Sequence, residues 1–98
     1  NNHVIDGADE ILVTLPHEQN EFKAKVVGTD SKSDLAVIRI SAKDMQPIAF
    51  ANSSKIKVGD VVFAIGNPFG VGESVTMGII SALNKSGLGI NEYEDFIQ

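Results

Sequence analysis

The chain is 98 residues long and has a formal net charge of −5, from 13 acidic and 8 basic residues. Its hydrophobic share of 43% and charged share of 21% are typical of a globular chain and not of a disordered one. It has no cysteine and no cluster of Lys or Arg, which excludes disulfide scaffolds and argues against a nucleic-acid partner. The longest apolar runs, such as Val61–Ile65, are too short to cross a bilayer, so no membrane span is expected.

Short stretches rich in Val and Ile, bounded by Gly, Asp, Asn, Ser or Pro, predict strands and turns along most of the chain. The predicted fold class is therefore all-β. The predicted strands are residues 10–15, 22–28, 35–40, 47–50, 61–66 and 74–83. Alternation places Ile11, Val13 and Leu15 on one face of the first strand, and Arg39 marks the face of the third strand that is nearer to water.

Two polar segments interrupt this strand pattern. Residues 41–57 lack periodicity and are predicted to connect two halves of the chain, whereas residues 90–98 allow a short, poorly capped helix. Two loops, at residues 28–34 and 66–72, have a more distinctive sequence than simple turns. Any chemistry of the chain is expected in such loops.

The loop at residues 66–72 contains closely spaced glycines, which suggests a phosphate-binding loop. Its spacing fits neither the Walker pattern nor the dinucleotide fingerprint. We interpret it as a connection between strands, in which Pro68 fixes φ and the glycines adopt positive φ.

Metal ligation is the other binding chemistry to weigh, since one acidic segment of the chain contains a histidine. The acidic side chains near His3 show no recurrent ligand spacing, and His17 lies in a polar stretch that predicts a solvated loop. We therefore expect no metal ion at these residues.

His3 and Asp34 are the remaining candidates for catalysis. Taken singly, a histidine near a chain end is usually solvated, and an aspartate before a strand is usually a turn residue that hydrogen-bonds its own backbone. Together they suggest a relay, in which an imidazole takes the proton of a hydroxyl nucleophile and a carboxylate holds the imidazole. The order His then Asp fits the chymotrypsin-type arrangement, which places the serine last.

Several motifs occur in the order of one known family, and the chain resembles the HtrA/Deg family of trypsin-like serine endopeptidases. The match is collinear over nearly the whole chain. It is carried by Asn1-Asn2-His3-Val4-Ile5, Ser33-Asp34-Leu35-Ala36-Val37-Ile38, Val58-Gly59-Asp60, Ala64-Ile65-Gly66-Asn67-Pro68-Phe69-Gly70, Ser74-Val75-Thr76-Met77-Gly78-Ile79-Ile80-Ser81-Ala82 and Phe96-Ile97-Gln98.

The resemblance implies a partial trypsin-like (chymotrypsin-type) double β-barrel that is truncated at both ends. Residues 1–57 would be the remainder of the N-terminal barrel and the connection between barrels, and residues 58–98 the start of the C-terminal barrel. The loops near Asn67–Glu73 and Gly87–Phe96 resemble loops that shift, in this family, between inactive and active arrangements.

The resemblance also implies the roles of the site residues. His3 would be the general base and Asp34 its orienting acid, but the family's nucleophile motif Gly-Asn-Ser-Gly-Gly does not occur in the chain. The 98 residues alone are therefore expected to be inactive, as a piece of a serine endopeptidase. An alternative is a non-catalytic chaperone or binding module for unfolded proteins.

The family's cofactors, partners and location complete these expectations. The resemblance implies that neither a metal ion nor an organic cofactor is needed. Substrates would be unfolded or misfolded polypeptides in the bacterial periplasm or outside the cell, and the full-length protein would be a trimer-based homo-oligomer. The isolated segment is expected to dimerise or to swap strands through exposed edges.

Overall fold

The computed structural model of the protein describes residues 1–90 and 92–98, which form mainly short antiparallel strands. The elements are α1 (Asn2–Ile5), β1 (Leu12–Thr14), β2 (Glu21–Lys23), β3 (Lys25–Asp30), β4 (Leu35–Arg39), β5 (Val61–Gly66) and β6 (Ser74–Ile79), with 3₁₀ turns at Ser53–Lys55 and Pro68–Gly70. The all-β prediction is confirmed, although α1 was not predicted. Among the described residues, no helix is long and apolar enough to cross a membrane.

The first compact unit comprises Asn1–Ile48, with which Glu92 and Tyr93 are grouped. Its first sheet pairs β1 with β2, and Val13 lies opposite Phe22. Both side chains are half-buried, whereas their neighbours along the strands are exposed. The alternation predicted for the first strand is thus confirmed, because period-2 patterning directs every second side chain to the same face.

The second sheet of this unit pairs β3 with β4, and the turn between these two strands contains the candidate residue Asp34. The register runs from Lys25 opposite Arg39 to Asp30 opposite Leu35, with a bulge between Val26 and Gly28. A bulge bends its strand and increases the local twist. Residues 31–34 form the turn between the two strands, so Asp34 lies where β4 begins.

The second unit comprises Ala49–Ile90 and Glu94–Gln98 and is built on the β5–β6 pair. Six residues of each strand are paired in register, from Val61 opposite Ile79 to Gly66 opposite Ser74. After β6, the backbone N–H groups of the next two residues donate to two different segments of this unit. Ile80 N donates to the Asp60 carbonyl, and Ser81 N donates to the Gln98 carbonyl at 2.7 Å.

Two predicted strands are shorter in the structure, since residues 10–15 form Leu12–Thr14 and residues 35–40 form Leu35–Arg39, and three others differ more. Residues 22–28 are divided between β2 and β3, because the chain changes partner at Ala24, whose N–H donates to the Ile11 carbonyl. Residues 74–83 form a strand only as far as Ile79. Residues 47–50 form no strand, and the side chains of Ile48 and Phe50 are 84% and 99% exposed. Pro47 has no N–H to donate to a ladder, which disfavours pairing there.

The predicted helix at residues 90–98 is also wrong for the described part of that segment. Phe96 forms an isolated antiparallel bridge with Lys85, and residues 92–95 are bends or irregular backbone. Residue 91 of the segment lies outside the described residues. The backbone from Lys85 to Phe96 closes a loop, since each of these two residues donates its N–H to the carbonyl of the other.

Apolar side chains on the sheets are largely exposed in the described chain. The accessible surface is 8572 Å², whereas a compact monomer of 10.4 kDa exposes about 5,400 Å². Ile80 is the one buried hydrophobic residue among those described. The β5–β6 pairs align six exposed apolar side chains on one face, which we call the β5–β6 face: Val61, Phe63, Ile65, Val75, Met77 and Ile79.

Gly59 provides a backbone test of this fold. Its φ is +96°, and its N–H donates to the Ile80 carbonyl at 2.8 Å. Because L side chains disfavour positive φ, we expect Gly59→Ala to lower the free energy of unfolding by about 1–2 kcal/mol. Urea denaturation of the complete protein that carries the sequence would measure this change.

Gly78→Ala is the matched control for this substitution. Gly78 lies in β6, and a Cβ added there or at Gly59 would meet nothing within 4 Å. The two variants therefore differ in backbone conformation and not in crowding. Equal destabilisation by both would contradict the prediction.

Candidate active site

The structure brings together the two residues that the sequence singled out. The Nδ1 atom of the His3 ring lies 2.6 Å from Asp34 Oδ2, and the backbone N–H of His3 donates to Asp34 Oδ1 at 2.8 Å. Asn2 N donates to the Asp34 carbonyl at 3.1 Å. Three contacts thus join Asn2 and His3, at the start of α1, to a residue that lies 31 positions beyond His3.

The turn before β4 positions Asp34. Its φ is +59°, in the left-handed region that Asp tolerates better than most residues. Asp30 fixes the turn, because its carboxylate accepts Lys32 N at 3.1 Å and Ser33 Oγ at 2.7 Å. The aspartate that hydrogen-bonds its own turn is therefore Asp30, and the Asp34 carboxylate contacts His3 instead.

Hydrogen bonding favours the ionised form of Asp34. Its pKa lies below the ordinary value, chiefly because the backbone N–H of His3 donates to the carboxylate, and next because the His3 ring does. The carboxylate is therefore ionised at neutral pH. Since an ionised carboxylate only accepts hydrogen bonds, Nδ1 of His3 must carry a proton.

Exposure differs between the two side chains. The His3 side chain is 70% exposed and that of Asp34 is 20% exposed. With Nδ1 engaged, the neutral His3 ring presents Nε2 as an acceptor. The pair can therefore take up a proton at Nε2 and stabilise the resulting imidazolium with the Asp34 carboxylate.

The serine hydroxyls for which the structure gives partners serve local turns. Ser33 Oγ donates to Asp30, as described above, and Ser54 Oγ donates to Asn52 Oδ1 at 2.6 Å. Asn52 also accepts Ser54 N and so caps the 3₁₀ turn at Ser53–Lys55. These contacts are structural.

One cluster near the site was missed by the sequence analysis. The Lys32 ammonium lies 3.6 Å from Glu92 Oε1 and 5.6 Å from the centroid of the Tyr93 ring. Tyr93 N also donates to the Lys32 carbonyl at 3.5 Å. No spacing rule relates residues so distant in sequence, so only the folded chain shows these contacts.

A second cluster lies in the loop at residues 87–94. The Glu94 carboxylate accepts the N–H groups of Leu88, Gly89 and Ile90 at 3.0–3.2 Å. Gly87 and Gly89 have positive φ, which lets successive N–H groups converge on one anion. The chain's own carboxylate thus occupies this concave backbone site.

The other candidate sites have structural explanations. The loop at residues 66–72 connects β5 to β6, and Asn67 Oδ1 accepts Gly72 N at 3.0 Å. Gly70 and Gly72 have positive φ, as predicted, whereas Gly66, the last residue of β5, does not. His17 is exposed in a turn. Within residues 1–90 and 92–98, no group of three or more His, Cys, Asp or Glu residues could hold a metal ion.

Titration of Asp34 tests the site geometry. Because the ionised form receives the hydrogen bonds, its contribution to stability is full above the ordinary aspartate pKa and is lost as pH falls through the lowered pKa of the folded state. Carboxyl ¹³C NMR should place the Asp34 midpoint below the ordinary value. His3→Ala removes the ring but retains the backbone N–H, so it should return the midpoint only part of the way.

Asp30 is the internal control for this titration. Its pKa is lowered by the Ser33 hydroxyl and then by the Lys32 N–H, and neither donor is changed in His3→Ala. The Asp30 midpoint should therefore stay constant. An Asp34 midpoint at or above the ordinary value would show that the observed contacts do not persist in solution.

Comparison with known proteins identifies the class to which this fold and site belong. The family model described as trypsin-like peptidase domain matches residues 1–98. The periplasmic serine endoprotease DegP of Salmonella typhimurium is 52% identical over 99 residues, and the probable DegP-like endoprotease of Pseudomonas savastanoi pv. phaseolicola is 54% identical over 98. Each alignment covers 100% of this chain and 21% or 20% of the relative.

A solved structure agrees with these sequence relatives. The HtrA-type protease AlgW with a decapeptide superposes with a TM-score of 0.92 and 53% identity, covering 100% of this chain and 30% of that one. The chain therefore belongs to the HtrA/Deg family of trypsin-like serine proteases. It spans about a fifth of the length of the curated relatives above.

Proposed function

We propose that this chain supplies the general base and the orienting carboxylate of a periplasmic serine endopeptidase. The observation that carries the proposal is the double contact of Asp34 with His3, at Nδ1 and at the backbone N–H. The relatives that are named periplasmic serine endoproteases support the reaction class and the location.

In the proposed mechanism, His3 Nε2 accepts the proton of a serine hydroxyl as the oxygen attacks a peptide carbonyl. Asp34 stabilises the imidazolium and keeps the ring oriented, and the proton then passes to the leaving amine. The serine and the oxyanion donors would come from residues outside positions 1–98, because the chain contains no Gly-Asn-Ser-Gly-Gly. Residues 1–57 would belong to the first barrel and residues 58–98 to the second.

The proposed substrates are unfolded or misfolded polypeptides, and the proposed assembly of the complete protein is a trimer-based homo-oligomer. The AlgW structures that match this chain contain a decapeptide or a tripeptide, which supports a polypeptide ligand. A role in protein quality control in the periplasm, as in this family, would be consistent with polypeptide substrates and with an oligomeric assembly.

Substitution of the pair tests this function in the complete protein that carries the sequence. We expect His3→Ala and Asp34→Asn each to lower kcat/KM for casein by about 10⁴-fold, because proton transfer loses its acceptor or its orientation. His17→Ala changes an exposed turn residue and should leave the rate unchanged. Retained activity in His3→Ala would refute the proposal.

The isolated chain distinguishes the alternatives further. It should not cleave casein, and activity of the 98 residues that depends on His3 would show that the nucleophile lies within the chain. A complete protein that suppresses aggregation of unfolded clients but cleaves none of them would support the chaperone or binding module instead.

The exposed β5–β6 face generates a prediction about the isolated chain. Apolar side chains and unpaired strand edges recruit other chains, so its mass by light scattering should rise with concentration. Phe63→Asp places a charge on this face and should reduce association, whereas Thr76→Asp, on the opposite face of β6, should not. A monomer mass that is independent of concentration would contradict this prediction.

A further inference from the structure

We propose that Lys32 is a positioning residue for Asp34, through which Tyr93 influences the alignment of the Asp34 carboxylate with His3. This inference rests on the proposed function, since it concerns the rate of the same reaction. Lys32 lies two positions before Asp34 in the same turn and contacts residues from a distant part of the sequence.

Two of the three contacts that Lys32 makes with Glu92 and Tyr93 involve its ammonium group. The ammonium lies above the Tyr93 ring at a distance that permits a cation–π interaction. It also pairs with the Glu92 carboxylate, although both side chains are more than half exposed, and such pairs contribute little by themselves. The aromatic contact is therefore the stronger side-chain link.

The third contact involves the backbone of Lys32. Its carbonyl accepts Tyr93 N at 3.5 Å, so the middle of the turn is attached to Tyr93 through both main chain and side chain. On the other side, Lys32 N donates to Asp30 Oδ1. The backbone of Lys32 is thus hydrogen-bonded to Asp30 within the turn and to Tyr93 outside it.

A displacement at Lys32 would reach Asp34 because the turn is short and its last residue is constrained. Asp34 has positive φ, and its carbonyl and carboxylate are held by Asn2 and His3. A rotation of the peptide after Lys32 must be absorbed within Ser33 and Asp34. Its effect would be a change in the angle between carboxylate and imidazole, on which the orienting role depends.

The expected kinetic effect is moderate and specific. Lys32 touches neither the His3 ring nor the Asp34 carboxylate in the described contacts, so its loss should tune the rate without abolishing it. We expect Lys32→Met and Tyr93→Leu each to lower kcat in the complete protein about three- to tenfold with KM unchanged. A change in KM alone would indicate a substrate contact and would overturn the inference.

Conservative variants serve as matched controls. Lys32→Arg retains a cation that can stack on the ring, and Tyr93→Phe retains the ring, so both should keep kcat within about twofold of the parent. Glu92→Gln removes only the exposed ion pair and should behave likewise. Circular dichroism and Tm must be unchanged in every variant that is compared, which separates positioning from unfolding.

A double substitution tests whether Lys32 acts through Asp34. In an Asp34→Asn background, Lys32→Met should cause no further loss of kcat, because the group that it positions has already been changed. Carboxyl ¹³C titration should also show that Lys32→Met moves the Asp34 midpoint towards the ordinary aspartate value. Additive losses, or an unchanged midpoint, would overturn the inference.

The proposed function and this inference can fail separately. If His3→Ala and Asp34→Asn inactivate the complete protein but Lys32→Met leaves kcat unchanged, the inference is wrong and the function stands. If His3→Ala retains activity, the proposed function falls, and the inference falls with it.

Discussion

The contact on which the site depends is the double hydrogen bond from His3 to the Asp34 carboxylate. One oxygen receives the backbone N–H and the other faces Nδ1, so the carboxylate fixes the main chain and the ring of the same residue. The backbone contact alone would leave the ring free to rotate about its side-chain bonds. The ring contact requires a proton on Nδ1 and leaves Nε2 as the acceptor.

The surrounding chain provides the conditions for that contact. Asp30 holds the turn, Asp34 adopts positive φ, and Asn2 donates to the Asp34 carbonyl, so the carboxylate is directed by backbone geometry. Little of this depends on a packed interior, because Ile80 is the one buried hydrophobic residue in the described chain. Hydrogen bonds within the turn, together with the long-range bonds from Asn2 and His3, therefore define the candidate site.

Sequence patterns predicted the strands where local information was sufficient. Residues 61–66 were correct to the residue, because glycine and aspartate punctuate a continuous apolar run. The change of strand partner at Ala24 could not be predicted. Apolar periodicity indicates which face of a strand is buried, but it does not indicate which strand lies beside it. The prediction of a helix at residues 90–98 was wrong for the described residues. Lys85 and Phe96 form a bridge, and the Glu94 carboxylate holds the backbone N–H groups of residues 88–90.

The sequence by itself determined the fold class and the family resemblance and pointed to both candidate site residues, since these depend on residue types and their order. Only the tertiary structure decided that His3 and Asp34 meet, which nitrogen of His3 faces the carboxylate, and that Lys32 contacts Tyr93. The physical reason is that such contacts depend on strand register and on the φ of single turn residues. A linear pattern of apolar and polar residues specifies neither the strand register nor the φ of a single turn residue.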